Sequence, residues 1–490
     1  MSRLLALPLF AAALLAASAE AAPRRDRALE AQLMSHITTL ASDEFQGREP
    51  GTEGEAKTLR FIGREWFQIG LVSGTNDPGN PWFAPVTLVA REPAASAAQF
   101  TRRGRPVPLG PNAVLMLTSG KRSLVQAAPL VFVGKGDGPV PARSDLAGRV
   151  AVVLDAEIEG TARQNALLAG GASAVLTVLD GERSLENIAA RRQRSGYALA
   201  SEITGGDLEG FVTRTAMDRL LAGGGSSVLA LEDEAARPGF APRLLDLAAS
   251  LEATTRETTI RTHNAIARLP GKRSDAGAVL FMAHWDHFGV CAEPPAEDII
   301  CNGAIDNASG VGSLIEIARR LAKGPQLDRD VYFLATTAEE LGLLGAEAFA
   351  ENPPLPLTQI VAAFNIDSNA LAPAGTPIAI VGRGMTPLDD RIAAVARAQK
   401  RKIDMGTAAN AYVRRQDGWA LLQHDVPAVL VSSAYGNIAT IERFFESDYH
   451  RPGDGVKPGI ELGGAAEDVA IHVALGRWFA DLRKVPAAAK

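Results

Sequence analysis

Apolar positions fall into three regimes along the 490 residues. Near the start, residues 4–17 form an unbroken apolar run behind Arg3, followed by Ser18-Ala19-Glu20-Ala21-Ala22-Pro23. A positive charge, a short apolar stretch and an Ala-x-Ala site have the form of a secretory signal, so residues 1–22 are expected to be removed on export. The run is too short to span a ~30 Å hydrocarbon core. No cysteine follows it to carry a lipid, and no later run is long and apolar enough to cross a bilayer. Next, Leu29, Leu33, Ile37 and Leu40 recur at helical spacing, as do Leu59, Ile62, Trp66 and Ile69. A turn-rich link, residues 42–51, joins these two amphipathic helices.

From about residue 100 to 242 the pattern changes to short β runs at 130–133, 150–154 and 174–179, divided by Gly, Pro and Asp turns. Residues 164–172 read as a helix stopped by glycines before a strand. From about 254 strands and helices alternate. Strands are expected at 278–283, 331–336, 360–364 and 428–432, with helices at 309–323 and 388–400. Such alternation predicts an α/β fold, with a mixed, largely parallel sheet flanked by helices.

Composition narrows this little: 47% apolar, 22% charged, net charge −6. The acidic balance leaves no basic footprint for nucleic acid or anionic lipid. Cys291 and Cys301 are the only cysteines, and in an oxidising compartment they are expected to close a short loop.

Ionisable groups gather where the expected strands end. Residues 278–283 run into His284-Trp285-Asp286-His287, residues 332–337 into Ala338-Glu339-Glu340, and residues 362–366 into Asp367. Asn302-Gly303-Ala304-Ile305-Asp306-Asn307 leads into a helix. Ligands in α/β sheets sit outside the carboxyl ends of strands, so several such ends aim at one crevice. A lone carboxylate there is usually a cap or a surface charge. Mixed His and Asp/Glu from several ends indicate a metal, and imidazole with carboxylate suits zinc. No GxSxG elbow or HExxH helix offers other hydrolytic chemistry. Residues 134–138 lack the frame of a phosphate loop and read as a turn.

These segments, with Asp448-Tyr449-His450-Arg451-Pro452-Gly453-Asp454, occur in the order found in the co-catalytic di-zinc aminopeptidases, which the chain resembles, and whose wider family includes glutamate carboxypeptidase-like enzymes. Residues 40–48 and the stretches 130–134 and 146–153 resemble that family too. The resemblance implies a zinc exopeptidase fold, with an N-terminal helical part at 23–99, a smaller protease-associated insert domain (β-rich, α/β) at 100–242 and a catalytic domain at 243–490. It implies two Zn²⁺ per chain, one on His284, Asp306 and Asp367, the other on Asp306, Glu340 and His450. Hydrolysis would use a metal-bridged hydroxide, with Glu339 as general base. Asp286 would hold the His284 ring, and Tyr449 would donate to the oxyanion. The substrates implied are peptides.

Seven histidines occur in all. His36, His263 and His472 fall in expected helices or a strand, and His424 precedes Asp425-Val426-Pro427, so these read as structural. His287 competes with His284 for the ligand role. One departure from the family stands out: Arg415-Gln416-Asp417-Gly418-Trp419 occupies the place of a Ser-Asp-His-type motif beside the substrate cleft. A carboxypeptidase would need arginines to clamp a carboxylate, and Arg383, Arg414 and Arg415 lie in that stretch. A single-zinc glutaminyl-cyclase-like transferase would keep one metal, and an inert binding relative would lack ligands.

Overall fold

The computed structural model describes residues 25–487 apart from 137, 156–161, 181–182, 194–195, 203–204 and 206. The expected signal, residues 1–22, and Asp137 of the glycine-rich turn lie outside the described residues.

Four parallel strands form the centre of the catalytic half. In spatial order they are Ala428–Ser432, Ile360–Asn365, Ala278–His284 and Asp330–Thr336. All seven residues of Ala278–His284 are buried. A strand covered on both faces by helices reads as a continuous apolar run, which is how this one appears in sequence. The helix Ser309–Ala322 lies on one face and is buried on nearly every side. Helix Arg27–Leu40 packs on the same layer, with Leu29, Leu33, Ile37 and Leu40 all buried and Asp26 capping its start. Helix Glu53–Ile69 stops at Gly70, whose φ of 88° is the left-handed cap that glycine adopts without strain. Phe281, Phe333, Phe364, Ile37 and Trp66 share one core.

Two long strands organise the rest. Phe83–Arg102 and Arg243–Leu269 pair antiparallel nearly end to end, from Ala265 opposite Phe83 to Ala248 opposite Thr101. On one side Arg243–Leu269 pairs with Asp330–Thr336, and further along it pairs with Arg122–Lys135. The second region adds parallel strands Val150–Leu154, Ala174–Val178 and Glu209–Val212 around its own core of Phe132, Val152 and Leu176. The expected boundary at 100 falls inside Phe83–Arg102, and the one at 242 falls just before Arg243–Leu269, whose first half pairs with Arg122–Lys135 of the second region. Cys291 and Cys301 form a disulfide across the small hairpin Gly289–Val290/Ile300–Cys301. Among the described residues no helix is long and apolar enough to cross a membrane.

Candidate metal centre

The sheet brings the strand ends to one place. His284 closes Ala278–His284, Glu339 and Glu340 follow Asp330–Thr336, and Asp367 follows Ile360–Asn365. Asp306 lies in the irregular turn Ala304–Ala308 that opens helix Ser309–Ala322. His450 arrives from the loop after helix Ile438–Ser447, in the left-handed region at φ 56°. Ala338, just before Glu339, has φ 52°. Such non-glycine conformations cost about 1–2 kcal/mol and persist where the surroundings impose them.

Asp306 stands between two imidazoles. Its Oδ1 lies 3.1 Å from His284 Nε2, and its Oδ2 lies 3.4 Å from His450 Nε2. His284 Nε2 is also 3.6 Å from Asp367 Oδ1, and His450 Nε2 is 2.9 Å from Glu340 Oε2. His287, which competed with His284 in sequence, comes in beside it: its Nε2 is 3.5 Å from Glu340 Oε1. His284 with Asp306 and Asp367, and His287 with Asp306 and Glu340, each offer ligand atoms within 4.8 Å of one another. His284 Nε2, His287 Nε2, His450 Nε2, Asp306 Oδ2 and Glu340 Oε1 are all buried without a hydrogen bond. Buried polar atoms are rarely left so, and five orphans of metal-ligating type gathered around Asp306 and Glu340 fit divalent-cation binding.

The surrounding contacts hold this array in place. The Asp286 carboxylate accepts from the backbone N–H of Glu339 at 3.1 Å and of Glu340 at 3.3 Å. His284 Nδ1 meets the Asp286 main-chain oxygen at 3.2 Å and its carboxylate only at 3.8 Å. Asp286 thus fixes the two glutamates directly and the imidazole mainly through its backbone. Asp454 accepts from the backbone N–H of Ile305 and Asp306, both at 2.9 Å. The Asn307 side chain accepts from Gly310 and Ser368 and donates to Ile366 O. Beneath lies Arg48, 0% exposed, donating to the carbonyls of Leu40, Trp285, Asn302 and Gly303. Asp454, Asn307 and Arg48 all stood in quoted motifs, but nothing in their spacing revealed partners that are backbone groups far away in sequence.

Electrostatics follow from burial of like charges. Burial opposes charge on His284, yet Glu339, Asp306 and Asp367 outweigh it and hold its pKa well above the ordinary value. Burial, reinforced by Glu340 and Asp367, pushes Glu339 well up. Glu340 is raised by burial and by Asp306. Burial also works against ionised Asp306, but the adjacent His284 and His450 imidazoles prevail and hold it below the usual carboxylate range. Without a cation the array offsets its crowded negative charge by holding protons, and a divalent cation would take their place.

Tyr449 stacks on His450 with ring centroids 3.6 Å apart, and burial raises its pKa well above normal, so its hydroxyl stays protonated. Arg415 lies over the Phe445 and Tyr449 rings, whereas Arg414 covers Trp419 and Arg383 reaches Gly406 O. Asp417 of the departing motif is buried against Thr336 Oγ1, and burial raises its pKa to about 7. Four other histidines lie elsewhere: His36 pairs with Glu316, His263 with Glu55, His424 with Glu347, and His472 is buried among Phe281 and Phe364.

Residues 264–470, which contain every ligand candidate, match the model of Peptidase family M28. The chain carries an M28 peptidase domain. The matched segment is that of a peptidase, and the donor set around Asp306 suits zinc. Across 99 residues the chain is 34% identical to a vacuolar membrane protease of Yarrowia lipolytica, covering 20% of this chain and 9% of that protein. Across 73 residues it is 36% identical to the alkaline phosphatase isozyme conversion protein of Escherichia coli, covering 14% and 21%. Both matches span well under half of those relatives. The fold of the M28 domain and its surroundings is that of an aminopeptidase from Aneurinibacillus sp. strain AM-1, at TM-score 0.54 and 19% identity over 92% of this chain and 93% of that one.

Proposed function

We propose that this chain is an exported di-zinc exopeptidase that releases N-terminal residues from peptides. The observation that carries the reading is the Asp306 carboxylate, which offers one oxygen towards His284 and the other towards His450. His284, Asp306 and Asp367 would hold one ion, and Asp306, Glu340 and His450 the other. When bound, the pair supplies Lewis acidity that polarises a peptide carbonyl and acidifies water.

The chain's own groups do the rest. Glu339 adjoins the ligand Glu340 without being needed as a ligand itself, so its carboxylate would take a proton from water and return it to the leaving amine. Asp286 holds the Glu339 backbone while this happens. Tyr449, protonated beside His450, donates to the carbonyl oxygen as charge develops there. Asp367 and Glu339 make the cleft attractive to a substrate ammonium. The Aneurinibacillus protein of shared fold is an aminopeptidase, in keeping with this assignment. Export rests on the form of residues 1–22 and accords with the Cys291–Cys301 disulfide. The strands at 100–242 fit a protease-associated insert.

Arg415, on the Tyr449 ring, supports a rival carboxypeptidase reading, since a guanidinium there is placed to meet a carboxylate. Amino-acid 4-nitroanilides with and without chelator test the leading reading. Chelator-sensitive release is expected, and N-acetylated peptides should resist. Equal hydrolysis of blocked and free peptides would favour the rival.

A further inference from the structure

We propose that His287 is a further ligand of the second zinc position, giving that ion His287, Asp306, Glu340 and His450. This rests on the di-zinc reading above and deepens it.

The His287 ring is 1% exposed, and its Nδ1 lies 3.0 Å from the Cys301 carbonyl oxygen. A carbonyl can only accept, so Nδ1 carries the hydrogen, and in the neutral ring Nε2 presents a lone pair. That lone pair points to Glu340 Oε1 at 3.5 Å, and neither atom has a hydrogen bond. Asp306 offers a carboxylate oxygen to the same group, and its Oδ2 is also without a hydrogen bond. Three lone-pair-bearing atoms gathered in a buried pocket repel unless a cation or a shared proton lies between them. An imidazole whose Nδ1–H is spent on a carbonyl while Nε2 faces the metal has the usual arrangement of a histidine ligand.

His287 is also held before any ion arrives. Its backbone N–H donates to Arg48 O at 3.3 Å, and the carbonyl that holds its ring belongs to a disulfide-bonded cysteine. His450, by contrast, is one-third exposed and sits at the mouth of the cleft. The second position thus combines a fixed, buried imidazole with a more open one, and each should retain the ion in part without the other.

Zinc stoichiometry and stepwise affinity, read by competition with a chromophoric chelator, test this on the purified full chain. The variants are His287→Ala, His287→Gln, His450→Ala and the His287→Ala/His450→Ala double, with circular dichroism as a check on folding. Gln can donate to Glu340 but is a poor zinc ligand. Two ions are expected in the wild type. In both His287 variants one dissociation constant should rise by more than ~100-fold, beyond the range for partners that merely orient a ligand. His450→Ala should keep two ions, one weakened, and the double variant one ion. Unchanged affinities in His287→Ala, or full retention in His287→Gln, would overturn the proposal and leave the di-zinc reading standing. A wild type that holds a single ion would remove both.

Discussion

At the scale of single residues, Glu339 separates chemistry from metal binding. Glu339→Gln removes the proposed proton acceptor but no proposed ligand, so turnover should vanish while zinc content stays near wild type. Metal analysis beside kcat decides it; lost zinc would make Glu339 a ligand. Asp286→Asn leaves one acceptor oxygen where two backbone N–H groups now bond to a carboxylate. Zinc affinity should fall by ~10–100-fold, as for other partners that orient a ligand. Unaltered binding would show that the Glu339–Glu340 turn holds itself. His284, Glu340 and Asp367 were legible in sequence because each follows an apolar strand, a pattern that reports geometry directly, whereas Asp306 and His450 lie in a turn and a loop and were assigned through the family resemblance. The roles of His287 and Arg48 were not legible, because their partners are carbonyls, and every residue has a carbonyl.

At the scale of elements, Arg48 ties together the helix end at Leu40, the strand exit at Trp285 and the turn before Asp306. Burial lowers its pKa to about 10, so it stays charged at neutral pH. Arg48→Met would strand four carbonyls at ~1–3 kcal/mol each if none found water. A loss of several kcal/mol in denaturant stability is expected, and a change within error would mean that the three segments hold without it. The central strands were readable, since a strand covered on both faces is apolar throughout. Phe83–Arg102 and Arg243–Leu269 were not, because their middle stretches, including Arg256, Glu257 and Thr258, are exposed and show no apolar alternation. Their pairing joins segments more than a hundred residues apart, which local patterning does not encode.

At the scale of the whole molecule, the two regions meet behind the site. Leu199 packs with Ala338 and Leu344 on the turn that carries Glu339, so the expected insert supports the catalytic half directly. The core also carries a pH dependence. Burial lowers His472 to about 4, from an ordinary value of 6.5. The unfolded chain therefore binds this proton first as pH falls, so the stability His472 contributes is present above 6.5 and lost between 6.5 and about 4. It amounts to about 3 kcal/mol. His472→Gln, still able to donate to Asp468 O, should lack that increment of acid sensitivity when Tm is followed against pH. Parallel curves would show that His472 is protonated alike in both states.

The proposed metal pair, shared by Asp306, is open to the most direct test of all. An anomalous difference map at the zinc edge, from crystals grown with zinc, should show two peaks ~3.5–4 Å apart astride the Asp306 carboxylate. A single peak, or peaks that leave Asp306 uncoordinated, would contradict it.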